Sequence, residues 1–499
     1  MSMDNQVDCT SKSPGVNAKV ISRQIPRIAL AALTLASFGG FASAQVLPNN
    51  VEPTSKCNFA PTEFPGWFET GTATAGGAVK PANSLNFLNF PADPVPTNHS
   101  HCKFYKWAAR MFLWLTSPLS GGGRTLQSDE FYDISPLVNN ERTLTRNDPG
   151  KADIDFSLRT SKTFDHGALP GPRRGVLMAQ NNSLLYTASF VNDVYAYYMT
   201  GAKNHRPGFD GSKFPIWPTE LNAISALAMG HGIALRHPEV LALQVKTTWL
   251  DTAGFGDLGL DPNKYIRIKG KIPTYDMSDP KKWIRNIASN GSNVTKDAEL
   301  ALVGVHITGS ASGNSDMIWA TFEHVDNVPI ATYAYRSTSG RQDFPQSTCR
   351  KDAQNTCRPW LFSQSNAPAA LFNQLRMRLR VPAAPSNDPP YIEVAPGNTI
   401  GPSDTRREQA WGSSINDPDH NSRVIGINAG TIGTLDNADP RRNYLLIGAS
   451  WGGDVGSDQL ANTTLETYEQ SKNCSDCHFG DKPNDLSHMY RVLLPLFSP

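Results

Sequence analysis

From Leu243 onward the chain alternates apolar and polar residues with a period of two. Leu243, Val245, Thr247 and Trp249 alternate with Gln244, Lys246 and Thr248, and strand-like runs recur at 264–268, 300–308, 317–326, 330–336, 390–395, 422–427 and 443–448. Side chains on a strand point to opposite faces in turn, so repeated alternation demands a sheet with one face on the core. Within it, LALVGVHIT and MIWATFEHV, joined by the Gly/Ser/Asn-rich GSASGNSD, predict a hairpin over 300–326. Two helices are added. Phe104, Trp107, Ala108, Met111 and Leu115 share a face at helical spacing, and 219–229 reads as a helix capped by Thr219 and stopped by Gly230. The expected class is α+β and β-rich: a large, mainly antiparallel sheet body with added helices. The 39 glycines and 37 prolines predict many turns and long loops between these elements.

The N-terminus predicts export. Lys12, Lys19, Arg23 and Arg27 precede an apolar run over 28–41, and Ala42-Ser43-Ala44 supplies a small-residue cleavage site before Gln45. That run is shorter than the roughly 20 residues that span a bilayer, so it reads as a signal peptide over 1–44. No later stretch is apolar enough to cross a membrane, which predicts a mature protein without a membrane span, periplasmic or secreted. Setting aside Cys9 in the leader and the Cys474/Cys477 pair, an even set remains: Cys57, Cys102, Cys349 and Cys357. In an oxidising compartment these are expected as two disulfides, Cys349 with Cys357 across a short polar loop and Cys57 with Cys102, although three pairings are formally open. With 46 basic against 45 acidic residues, the chain offers no general field for nucleic acid or an anionic membrane.

Cys474-Ser475-Asp476-Cys477-His478 carries the chemistry. Two thiols three positions apart can add to the two vinyl groups of one porphyrin, and the next residue can place an imidazole under the iron. A thioredoxin-type redox pair would follow a strand in an alternating strand-helix pattern, and a structural zinc site would need a second close Cys/His pair. Neither context is present in the sequence. The segment resembles the haem-attachment motif of c-type cytochromes, and the late motif behind a long body is similar to large exported monohaem cytochrome-like proteins. That resemblance covers little more than the C-terminal segment. It implies one covalent haem c, Cys474 and Cys477 as attachment points, and His478 as the proximal iron ligand.

Only residues 479–499 follow the motif, too few to enclose a porphyrin, so the β-rich body must supply most of the pocket. The expected organisation is a leader over 1–44, a body over 45–455, and a short helical haem-attachment segment over 456–499 packed on that body. Helices are expected over 460–472 and 485–494. Met489 and His488 are the nearest candidates for the distal iron position; Met489 also lies on an apolar face with Leu486, Tyr490 and Leu493 and reads as core packing.

Phe322-Glu323-His324-Val325-Asp326-Asn327, with His306 on the partner strand, could hold a cation or act as acid and base. The pleat argues otherwise, because Glu323 and His324 leave a regular strand on opposite faces, and a structural hairpin end is the expectation. Trp217, Trp249 and Trp319 are expected in the core. The functional expectation is a redox role, electron transfer through one haem with redox proteins as partners. The alternative is a haem-dependent oxidoreductase of oxygenase or peroxidase type, its small-molecule pocket in the body; a haem gas sensor stands third.

Overall fold

The computed structural model describes residues 47–90, 100–138, 141–150, 153–156, 175–347, 349–351, 355–364, 377–382, 388–412, 416–451, 455–457, 459–460, 462–467, 470 and 488–499. Its strands are β1 (Phe131–Ile134), β2 (Leu144–Arg146), β3 (Ile154–Asp155), β4 (Tyr186–Asn192), β5 (Leu243–Asp251), β6 (Arg267–Pro273), β7 (Tyr275–Asp279), β8 (Lys282–Arg285), β9 (Thr295–Ala311), β10 (Asn314–His324), β11 (Tyr333–Ser337), β12 (Gly340–Phe344), β13 (Arg350–Lys351), β14 (Cys357–Arg358), β15 (Met377–Arg380), β16 (Tyr391–Val394), β17 (Tyr444–Trp451) and β18 (Val455–Gly456). Ten of them form the central sheet, in the order β18-β17-β10-β9-β5-β4-β1-β2, with β6 on the early half of the long β9 and β3 on β6. The path is antiparallel throughout, and β3 with β6 is the one parallel pair among its described strands. The α+β, β-rich expectation is borne out.

The predicted hairpin forms, but its turn is shorter than the GSASGNSD run suggested. Both strands continue to Ala311 and Asn314, leaving Ser312-Gly313 as the turn, where Gly313 adopts φ +76°. Positive φ suits glycine and lets two long strands meet in so few residues.

One face of the sheet is apolar. Val245, Trp249, Val305, Ile307, Ile318, Ala320 and Phe322 join one core with helices α2 (Ser100–Leu115) and α5 (Pro418–Thr434), α1 being the short Glu63–Trp67. Phe112 of α2 stacks on Phe322 at 4.4 Å and 13°, while Gly309 admits the Trp107 indole, which a Cβ there would approach to 2.8 Å. The sequence placed one stripe of α2 on the core; in fact Tyr105, Lys106, Phe112, Leu113 and Trp114 are buried as well, so the helix is covered nearly all round. Asn428 of α5 exchanges two hydrogen bonds with Leu446 of β17, at 2.8 and 2.7 Å.

Helix α5 corrects one expectation, the strand over 422–427. Asp417 caps the helix by accepting from the His420 amide at 3.0 Å, and Pro418 occupies its first turn. Those start signals outrank a six-residue alternation, and Val424, Ile425 and Ile427 are buried because the helix is enclosed on more than one side. Helix α3 (Asp193–Lys203) and strand β4 also went unread: ten of the eleven residues of α3 and all of β4 are buried, so neither shows a periodicity. Helix α4 (Glu220–Gly230) falls where expected, with Thr219 at its N-cap but making no side-chain capping bond, while Glu220 accepts from the Ile216 and Trp217 amides just before the helix at 2.8 Å. The disulfides Cys57–Cys102 and Cys349–Cys357 are both present. Among the described residues no helix is long and apolar enough to cross a membrane.

Candidate functional site: a buried polar sheet face

The opposite face of the central strands is polar and nonetheless buried. Thr187 and Ser189 of β4, Gln244, Lys246 and Thr248 of β5, Thr308 and Ser310 of β9, and Thr321 and Glu323 of β10 all have 8 % exposure or less. The register aligns them: Thr248 opposes Thr187 and Gly304, Lys246 opposes Ser189 and His306, and Glu323 opposes Gly304. Buried polar groups cost free energy unless hydrogen-bonded, so a whole buried polar face must be matched by something that supplies partners.

Part of the match is the chain just before the motif. Asn462 donates to Thr321 Oγ1 at 2.9 Å and to the Phe322 carbonyl at 3.0 Å, while its own side-chain oxygen accepts from the Thr464 amide at 2.9 Å. The hydroxyls of Thr464 and Thr248 lie 2.7 Å apart. Gly304 makes room: a Cβ there would collide with Thr464 Oγ1 and approach Thr248 Oγ1 to 2.7 Å. Beside this notch, Glu323 accepts from the Thr463 amide at 2.7 Å, from the Thr463 hydroxyl at 2.5 Å and from Arg407 Nη2 at 2.7 Å. The side chain of Gln470 then clasps the backbone on either side of Arg407, donating to the Arg406 carbonyl at 2.6 Å and accepting from the Glu408 amide at 2.9 Å. The chain is thus pinned four residues before Cys474.

It is also pinned after the motif. Helix α6 (His488–Val492) carries Met489 into a second core cluster with α3 and Leu493, and the Met489 sulfur lies 3.9 Å from Gln244 Nε2. Arg142 and the chain after α6 exchange backbone bonds at 2.8 Å, Arg142 N–H to the Val492 carbonyl and Leu494 N–H to the Arg142 carbonyl. Thr248 and Gln244 are four residues apart on one face of β5, about 13 Å at the rise of a strand.

Among the described residues, polar groups remain without partners on or beside this face: Arg407 Nε and Nη1, Gln244 Oε1, Thr187 Oγ1 and Ser310 Oγ. A buried guanidinium with two idle donors is the costliest of them, since an unmade hydrogen bond on a charged group forfeits more than a neutral one. Such a donor set fits a group with an acidic edge.

Cys474, Cys477 and His478 lie outside the described residues, as does Asp485. Met489 is 5 % exposed and sits as a packed core side chain; for His488 the backbone in α6 is described. The helix expected over 460–472 is corrected at 462–467, which is a run of turns, because Asn462 and Thr464 spend their side chains on the sheet and on local amides. In the second candidate cluster, Glu323 and His324 do face opposite sides. His324 stacks on Tyr265 at 3.7 Å, and burial pushes its imidazole pKa down to about 4, leaving it neutral. Its Nδ1 accepts from the Asp326 amide at 3.2 Å and its Nε2 lies 3.2 Å from the Lys264 carbonyl. His306 lies with Glu466 instead, at 2.8 Å. Among the described residues no His/Cys/Asp/Glu group has the arrangement of a metal site. Trp249 is fully buried, while Trp217 is 45 % exposed. Sequence reading missed Arg407, Asn462 and Gln470 as anchors; a Thr/Asn-rich run shortly before the motif was the only available signal.

Comparison of the chain with protein-family models, curated proteins and solved structures finds no match.

Proposed function

We propose that this is an exported c-type haem protein with a redox role, passing electrons through one haem held by Cys474, Cys477 and His478. One observation carries the reading: the chain is anchored on the same polar face of β5 both before the motif, through Thr464 on Thr248, and after it, through Met489 on Gln244. An attachment segment tied at both ends holds its cofactor in a fixed relation to the body, which keeps reorganisation small. When bound, haem supplies a one-electron ferric/ferrous couple tuned by burial and hydrogen bonding. On this reading Arg407, locked by Glu323 and with two donors idle, receives the acidic edge of the porphyrin. Two disulfides in a chain with a signal-like N-terminus support the export half of the proposal.

Intact mass tests it. Expressed with the covalent attachment machinery, the mature protein is expected to begin at Gln45 and to carry the added mass of one haem, which Cys474→Ala reduces to non-retention under denaturing conditions. A full-length chain without that mass refutes the reading. The carrier form further predicts a low-spin ferrous spectrum barely altered by carbon monoxide, and Met489→Ala and His488→Ala, measured separately, identify a local distal ligand if either changes it. Rapid, complete carbon monoxide binding by the unaltered protein would put the oxidoreductase or gas-sensor reading first.

A further inference from the structure

At the outer edge of the sheet, away from the β5 face, a cleft of about 850 Å3 opens between the loop after α2 and strands β3 and β6. That volume lies within the range of small-molecule sites, roughly 300–1,000 Å3. One wall is the run Gly121-Gly122-Gly123-Arg124. The loop closes on itself through the Gly122 amide on the Leu119 carbonyl at 3.0 Å and the Leu119 amide on the Gly123 carbonyl at 3.2 Å, with Gly122 and Gly123 at φ +90° and +83°. Side chains at Gly121 or Gly122 would meet no atom within 4 Å, so both face open space. Nothing in packing requires glycine at 121; open backbone at a cleft mouth is what close approach by a ligand requires.

The charges in the cleft do not cancel. Arg267 is neutralised by Glu299 at 2.7 Å and held by Asn263 at 2.9 Å. Lys269 and Lys271, the outward positions of β6 between the buried Ile268, Gly270 and Ile272, make no ion pair among the described residues. Arg124 is half-buried, its guanidinium pKa is lowered first by that burial, and among the described residues its side chain makes one hydrogen bond, a long one to the Thr116 carbonyl at 3.4 Å. A half-buried arginine in the lining of a cleft, its guanidinium weakly hydrogen-bonded, is matched best by an oxyanion, which it binds with charge-assisted hydrogen bonds. Asp153 stands on the β3 side of the same cleft and is an acceptor suited to a hydroxyl group.

From this geometry we infer that the cleft is a binding site for a small hydroxylated organic anion, its carboxylate or phosphate held by Arg124 and seconded by Lys269 and Lys271. The inference does not depend on the haem reading. Titration calorimetry on the whole protein at low ionic strength tests it, with citrate and inorganic phosphate as separate probes so that a carboxylate preference is distinguished from a phosphate one. One of the two is expected to bind at a single site. Arg124→Gln is expected to weaken that binding by about tenfold or more, the worth of one charge-assisted hydrogen bond. Gly121→Phe, at a position with space for a ring and no left-handed backbone, is expected to abolish it with every charge intact, while the remote Lys282→Gln leaves it unchanged. Equal melting temperatures of Arg124→Gln and the parent would exclude misfolding as the cause. No heat from either probe, or affinity in Arg124→Gln within twofold of the parent, overturns the site.

Discussion

The two faces of the central sheet are both largely buried and are held by different means. On one, Phe112, Trp107 and the α5 side chains cover Val245, Val305 and Phe322 mainly by shape and area. On the other, a single stretch of chain matches hydroxyls, an amide and a carboxylate one by one. Apolar burial is non-directional and tolerates sliding; a polar face tolerates only the register that pairs its groups. The difference teaches how the chain at 462–467 is held in one position on the polar side: directional bonds fix position where area fixes only proximity.

Predictions that break the contrast begin with the apolar side. Trp107→Ala removes a fully buried indole from over Gly309 and is expected to cost about 5 kcal/mol, the upper end for truncating a buried aromatic. Urea unfolding should show that loss as a global shift, with the Thr463 and Glu408 amides no more exposed to exchange than the rest of the sheet.

On the polar side, Glu323→Ala leaves Arg407 buried and unpaired, and about 3–4 kcal/mol is expected. Here the exchange pattern should differ, because the Thr463 and Glu408 amides are protected by this network and ought to exchange ahead of the β5 amides. Uniform protection across both would show that the segment is held by area after all.

Acid distinguishes the faces through adjacent residues. His324, on the apolar side, has its pKa pushed down from 6.5 to about 4 by burial. The unfolded chain therefore binds a proton that the folded one refuses, and stability falls as pH drops from about 6.5 to 4, by about 3 kcal/mol in all. Asp193, pushed up to about 7 by its own burial, works in the opposite sense between about pH 4 and 7. That contribution is common to the parent and to His324→Gln, so the difference between their urea midpoints across this range isolates the histidine. Parallel profiles would refute the assignment.

The smallest effect expected is at Gly304. Gly304→Ala pushes a methyl into the notch filled by Thr464 and should cost about 1–3 kcal/mol as overpacking. Combined with Thr464→Ser, which keeps the hydroxyl and the bond to Thr248, little relief is expected; with Thr464→Gly, most of the strain should go at the expense of that bond.

The alternation in Leu243 to Trp249, and in the hairpin strands, was enough to read a sheet, because one apolar face imposes a period of two on any sequence. The same pattern hid what the other face does. Gln244, Lys246, Thr248, Thr321 and Glu323 are the polar half of that alternation, yet all are buried, and it is the return of Asn462, Thr463 and Thr464 onto Thr321, Glu323 and Thr248, and of Met489 onto Gln244, that the sequence did not show. Alternation records which residues share a face; it does not record whether water or protein covers it. The two disulfides were likewise legible, since an even set of four cysteines with one close pair leaves few pairings to choose among. Where Arg407 lies, that Gln470 clasps the chain around it, and that Arg124 and Lys269 line one cleft were decided by tertiary structure alone, because these residues are brought together from positions far apart in the chain, and no local period registers such a meeting.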